Sequence, residues 1–186
     1  MKFWGNLIGY QLVWFIAVIG ASHGHYWPAL SCGVLFVVWQ ISTSPHSGIE
    51  RRLLLVALVI GSVVDGGLAL SGLASYATPA PAFPVGGAPL WILVLWASFA
   101  MTLNQTLVFL RERPALAAVF GAIGAPLAYL SAARGWHVVQ FAPPEWRGLA
   151  WLAIGWAIGL PVLTKLAKHW AHANDSYIST LREELP

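Results

Sequence analysis

The chain has 186 residues; 58% are hydrophobic, only 9% are charged, and the formal net charge is +3. A soluble domain carries about 25% charged residues, so this chain cannot clothe a globule of its size in groups that water accepts, and lipid must be the solvent for much of it. A basic balance can signal nucleic acid, but here the basic residues sit in short clusters beside apolar runs, so membrane topology accounts for them and no nucleic-acid partner is expected.

A helix needs about 20 apolar residues to cross a bilayer. Six runs qualify in chain order: 3–21, 27–42, 52–73, 89–110, 114–132 and 148–167, the second being the shortest. The expected fold is therefore all-α, a polytopic transmembrane helical bundle of six spans occupying 1–168, with a polar cytoplasmic tail at 169–186. A barrel is excluded because the runs are continuous rather than alternating. Trp4, Trp27, Trp91, Trp136, Trp146 and Trp170 fall near span ends, where an indole keeps its N–H wet. Trp39, Trp96, Trp151 and Trp156 fall deeper and read as packing residues.

The first run follows Lys2 and resembles a signal peptide, but Ile19-Gly20-Ala21-Ser22 is a poor cleavage site and five more runs follow, so it is read as a span. His23-Gly24-His25 comes next. With Asp65 it would supply three metal ligands, but the spacing matches no established zinc signature, so no metal is expected. Ser42-Thr43-Ser44-Pro45-His46-Ser47-Gly48 is a polar turn, 78–89 is a loop rich in proline and glycine, and Arg111-Glu112-Arg113-Pro114 is a tight connection in which Pro114 suits the first turn of a helix. If six helices alternate, eight of the ten Lys and Arg (Lys2, Arg51, Arg52, Arg111, Arg113, Lys165, Lys168 and Arg182) share one side, and only Arg134 and Arg147 lie on the other. The positive-inside rule then puts both termini in the cytoplasm.

Small residues suggest close helix packing: Gly61 and Gly72 on the third run, Ala117, Gly121, Ala125 and Ala132 on the fifth, Gly155 and Gly159 on the sixth. Intramolecular packing is favoured over a homo-oligomer or another membrane protein as the partner of these faces.

Asp65 is the only acid inside a predicted span. It lies about 20 Å from the cytoplasmic boundary at 1.5 Å per residue, in the outer half of the bilayer, where a carboxylate costs about 2.5–3.5 kcal/mol on insertion scales. It must be protonated, paired or in a wet cavity. The outer-side residues available to it are His23, His25, Arg134 and His137; Arg134 is a natural counter-ion, and a His–Asp pair could move a proton. The plain alternative is that Asp65 only ties helices together.

A second polar set lies in the inner half: Thr102, Asn104, Gln105 and Thr106, with Gln40, Asn6, Tyr10 and Gln11 at similar depth. Interhelical hydrogen bonding is the plain reading; a polar site for a headgroup or solute is the sharper one. Arg111 and Arg113 should attract anionic lipid. Pro126 frees a carbonyl within the fifth run that Tyr129 could help satisfy. Cys32 is alone, so no internal disulfide forms. No GxSxG, P-loop, HExxH, CxxC or Rossmann glycine pattern occurs, so no cofactor is expected.

Val64-Asp65-Gly66, the stretches Leu90-Trp91 and Leu95-Trp96-Ala97-Ser98-Phe99-Ala100-Met101-Thr102-Leu103-Asn104, and Gly121 through Gly124-Ala125-Pro126-Leu127-Ala128-Tyr129 resemble the family called domain of unknown function 2878. The resemblance covers most of the chain and leaves the C-terminal tail outside. It implies a small multi-spanning protein of the bacterial inner membrane with no established activity. It carries over no catalytic residue and makes Asp65, Asn104, Pro126 and Tyr129 the positions of interest.

Three functions follow as expectations. The first is an accessory helical bundle that binds membrane lipid or a membrane partner. The second is a lipid-modifying enzyme with an outer-side site of Asp65 with His23, His25 or Arg134. The third is a small proton-coupled transporter using Asp65. Asn104, Gln105 and Tyr129 are the candidate ligand-binding residues.

Overall fold

The computed structural model describes the backbone from Lys2 to Glu184 and the side chains of residues 3–173. Of the expected tail at 169–186, residues 185 and 186 and the side chains from 174 onward lie outside the described residues.

Among the described residues six α-helices form: α1 (Lys2–Ser22), α2 (Trp27–Thr43), α3 (Ser47–Leu70), α4 (Leu90–Ala100), α5 (Pro114–Trp136) and α6 (Trp146–Glu184). Four of them, α1, α3, α5 and α6, are long and apolar enough to cross a membrane; α2 and α4 are apolar but shorter. Local chemistry sets several ends. Proline opens both α2 and α5, where its missing N–H costs nothing. Gly24 adopts positive φ after α1, and His25 N–H returns to Gly20 O at 2.9 Å. At the end of α5 His137 takes the left-handed conformation, and the N–H groups of His137 and Val138 reach back to Ala133 O and Ala132 O, which satisfies carbonyls the helix would leave bare.

The expected fourth span is the main departure. The run 89–110 is not one helix: α4 stops at Ala100, and the chain continues through buried turns to a single 3₁₀ turn at Val108–Leu110. Thr102 Oγ1 donates to Phe99 O at 2.7 Å, so the hydroxyl competes for helical carbonyls. Asn6 of α1 takes over the freed backbone: its Nδ2 donates to Met101 O at 3.0 Å, and Thr106 Oγ1 donates to its Oδ1 at 2.5 Å. Non-helical backbone at membrane depth is tolerated where protein surrounds it, and Asn6, Met101, Thr102, Leu103 and Thr106 are all buried.

Four short strands gather at one end of the bundle: β1 (Ala74–Tyr76), β2 (Ala82–Phe83), β3 (Ala88–Pro89) and β4 (Val139–Phe141). β1 pairs antiparallel with β4, Ser75 opposite Gln140, and β2 pairs with β3. The β1–β4 ladder ties the exit of α3 to the α5–α6 connection. Along β1 the strand period turns Tyr76 inward, buried, and Ser75 outward, exposed. The opposite end carries the α2–α3 and α4–α5 connections with Arg51, Arg52, Arg111 and Arg113, and is called the basic end below.

Small residues let α3, α4, α5 and α6 approach. A Cβ on Gly61 would lie 2.5 Å from the Trp96 ring, on Gly67 2.6 Å from Trp151, on Gly155 2.9 Å from Val64, and on Gly121 2.4 Å from the Trp156 carbonyl oxygen. Dispersion across such contacts replaces the hydrophobic drive that lipid withholds.

Candidate functional site: a buried carboxylate beside an aromatic cavity

Asp65 lies five residues before the end of α3 and is completely buried. Three donors from three other elements converge on it. Tyr76 of β1 donates to Oδ1 at 2.6 Å, Tyr129 of α5 donates to Oδ1 at 2.5 Å, and Trp96 of α4 donates from Nε1 to Oδ2 at 2.6 Å. Both carboxyl oxygens are thus satisfied, as any buried polar group requires. Each donor is itself placed by packing: Trp96 lies on Gly61 and stacks on Trp156 with centroids 4.1 Å apart, and Tyr76 meets Trp91 edge-on.

Tyr129 and Trp96 also line a cavity of about 300 Å³ enclosed by α1, α4, α5 and α6. Its walls are rich in aromatic rings: Tyr10 and Trp14 of α1, Trp91, Trp96 and Phe99 of α4, Phe120 and Tyr129 of α5, and Trp156 of α6. Small residues, Gly121, Gly124, Ala125 and Ala128, leave the space on the α5 side. At the strand end Trp136 of α5 closes the gap by packing edge-on against Trp14 and Phe15 of α1. Gln11 and Phe120, both exposed, stand at the rim, so the cavity opens sideways between α1 and α5.

The other residues singled out from the sequence fall elsewhere. His23 is exposed, its Nδ1 against Ile19 O at 2.9 Å and Ser22 Oγ at 3.1 Å. His25 is exposed beside Trp27, and Arg134 is exposed in the last turn of α5. None of the three is a hydrogen-bond partner of Asp65, whose donors are Tyr76, Trp96 and Tyr129. Among the described residues no group of three or more His, Cys, Asp or Glu is placed to hold a metal ion.

Asn104 and Tyr129 do not share a site. Asn104 sits in the irregular segment after α4 and faces Glu50, a buried carboxylate in the first turn of α3. Ser44 Oγ donates to Glu50 Oε1 at 3.2 Å, and His46 and Arg111 also face it. Glu50 and Asp65 are fifteen positions apart on α3, about 22 Å at 1.5 Å per residue. Gln105 is half-buried in the same segment as Asn104.

Sequence reasoning missed Tyr76 and Trp96 as partners of Asp65, and Glu50 as a buried acid. A signal for Trp96 existed: an indole deep in a span must find an acceptor for its N–H, and Asp65 was the one acid available at such depth.

Four helices long and apolar enough to cross a membrane, packed around a carboxyl group held by tyrosine and tryptophan donors, support the class of helical membrane proteins. Residues 3–162 match the family model described as "Protein of unknown function (DUF2878)". The match covers well over half of the chain, which therefore belongs to that family. No curated protein and no solved structure matches it.

Proposed function

We propose that this chain is a six-span protein of the bacterial inner membrane, both termini cytoplasmic, that takes an apolar chain from the bilayer into the cavity beside Asp65. The carrying observation is the cavity: about 300 Å³, aromatic-walled, rimmed by exposed Gln11 and Phe120 between α1 and α5. That volume lies at the lower bound of small-ligand sites, roughly 300–1,000 Å³. The clustering of Lys and Arg at the basic end supports the orientation. On this topology α4 and the turns after it together make the fourth crossing. Within it, Met101 O accepts from Asn6 of α1, a protein partner of the kind the bilayer demands for backbone that leaves the helix.

Asp65 acts in this reading as a fixed hub. Its three hydrogen bonds join α3, β1, α4 and α5 and hold two cavity walls, Trp96 and Tyr129, in place. The chain is thus an accessory lipid-binding bundle.

Gly124 provides the test. It lines the cavity, and nothing lies within 4 Å of a Cβ built on it. Gly124→Leu should carry its side chain into the space, its Cβ meeting no neighbour. Lipid extracted from the purified wild-type protein should contain one apolar species in stoichiometric amount that the Gly124→Leu protein lacks. Identical lipid content in the two proteins would refute the reading. Reporter fusions after Ser47 and after Pro84 should report opposite sides of the membrane; the same side at both refutes the topology.

A further inference from the structure

An apolar chain gains little by leaving one hydrocarbon phase for another, because lipid tails are as apolar as the cavity wall. Selection of one ligand from the surrounding bilayer must therefore come from the polar groups that face the cavity. They include the hydroxyls of Tyr10 and Tyr129, the amide of Gln11 at the rim, and the indole N–H of Trp156, which is buried with no hydrogen-bond partner among the described residues.

The two hydroxyls are not equivalent. Tyr129 has committed its proton to Asp65 Oδ1, so toward the cavity it presents only oxygen lone pairs and accepts. Tyr10 faces the same cavity and packs edge-on against Phe99. Among the described residues its hydroxyl donates to no acceptor, so its proton is available. The α5 wall offers an acceptor, α1 and α6 offer the Tyr10 hydroxyl and the Trp156 N–H as donors, and all belong to uncharged groups.

Resting on the lipid-binding reading above, we infer that the ligand's polar end is a free hydroxyl, which makes the ligand a long-chain or isoprenoid alcohol. Its O–H donates to Tyr129 Oη while its oxygen accepts from Tyr10. The other common lipid ends satisfy only half of this pair. An ester or ether accepts but cannot donate. A carboxylate accepts only, and brings a negative charge toward the Asp65 carboxyl group; a fatty acid matches the pair only in its protonated form. An ammonium donates only and leaves the Tyr10 proton unpaired. A hydrocarbon does neither.

The experiment uses the full chain in phospholipid nanodiscs and the fluorescence of the cavity tryptophans. Trp14, Trp91, Trp96 and Trp156 all line the space, and bromine quenches an indole on contact. The probes are bromine-tipped alkyl chains of one length ending in an alcohol, a methyl ester, an amine or a methyl group, compared at equal mole fraction in the bilayer. The alcohol should quench at about five- to tenfold lower mole fraction than the ester or hydrocarbon, the advantage of one or two neutral hydrogen bonds. Tyr129→Phe and Tyr10→Phe should each bring the alcohol close to the ester. Tyr10→Phe removes no hydrogen bond within the protein, so its folding is spared even if Tyr129→Phe folds poorly. Gly124→Leu should abolish cavity quenching by every probe. Equal quenching by alcohol, ester and hydrocarbon, all lost in Gly124→Leu, overturns the hydroxyl inference and leaves the lipid site standing. An amine that outcompetes the alcohol also overturns it. Quenching that Gly124→Leu does not change overturns both.

Discussion

Trp96 reaches Asp65 only because Gly61 lies beneath its ring. The indole Nε1 donates to Asp65 Oδ2 at 2.6 Å, and Gly61, one turn earlier on α3, offers the flat surface on which the ring rests. A methyl group at position 61 would sit 2.5 Å from ring carbons. Because Trp96 is also stacked on Trp156, it has no room to retreat. Gly61→Ala should therefore destabilise the protein by about 1–3 kcal/mol, the usual cost of overpacking. Gly124→Ala supplies the control. It adds the same methyl in the middle of α5 where nothing lies within 4 Å, and should stabilise by up to about 1 kcal/mol through reduced backbone entropy. Thermal unfolding of both variants in one detergent measures the contrast; equal midpoints would remove Gly61 from the account of the site.

The three donors on Asp65 predict an order among variants. Asp65→Ala leaves a hydroxyl, a second hydroxyl and an indole N–H to find other partners in a buried place, and should cost most, about 3 kcal/mol or more given 1–3 kcal/mol for each buried group left unpaired. Asp65→Asn turns one oxygen into a donor facing donors and should fall between. Tyr76→Phe and Tyr129→Phe each delete one bond to Oδ1 and should each cost about 1–2 kcal/mol. Because both hydroxyls serve the same oxygen, the double variant should depart from additivity. Additive losses in unfolding free energy would mean that the two tyrosines act independently.

What could be read from the sequence follows from what one helix can show by itself. Apolar length located the helices, and Asp65 declared itself by its charge in an apolar run. Gly61, Gly121, Gly155 and Gly159 declared contact faces, and the structure seats each against a neighbour. The identity of those neighbours depends on helix order, which periodicity does not encode. The sequence thus directed attention to His23, His25 and Arg134, the charged residues nearest in topology. The donors actually present come from α4, α5 and a strand that folds back from the end of α3. Tyr76 was hidden because it lies in a segment without helical pattern. The break in α4 was hidden because Met101, Leu103 and Leu107 keep the run apolar while Thr102, Asn104 and Thr106 redirect its backbone. Glu50 was hidden because it sits beside Arg51 and Arg52 and reads as one of a solvated cluster, yet the first turn of α3 buries it.

The basic end carries an ion pair whose pH dependence has a definite sign. Lys168 Nζ donates to Glu112 Oε2, linking α6 to the connection before α5. The Lys168 ammonium holds the Glu112 carboxyl below the usual glutamate range. A depressed folded value means that the pair's contribution is fully present above the unfolded value, about 4.3, and is lost as pH falls through the lower folded one. Below pH 4 the unfolding midpoint of the wild-type protein should drop slightly more than that of Glu112→Gln. Because the carboxylate is exposed, raised salt should shrink the difference. A wild-type profile parallel to that of Glu112→Gln would show that the pair contributes nothing to folding.

Asn6 holds together the non-helical turns that follow α4. Its Nδ2 donates to Met101 O, the first carbonyl beyond α4, while its Oδ1 accepts from Thr106, so one amide from α1 clamps both ends of the turn sequence. All of these groups are buried, and hydrocarbon offers no substitute partner. Asn6→Leu keeps the bulk and loses both bonds. It should cost about 2–4 kcal/mol, as two buried groups lose their partner. Thr106→Val removes one bond and leaves the amide donating to Met101, so it should cost less, about 1 kcal/mol. The local consequence separates this clamp from ordinary packing. In hydrogen exchange, amides of residues 101–107 should lose protection in Asn6→Leu before those of α3 or α5, because the turns would open while the surrounding helices stay paired. If protection fell uniformly through the bundle, Asn6 would be one more packing contact, and α4 would stop at Ala100 because of Thr102 and its neighbours alone.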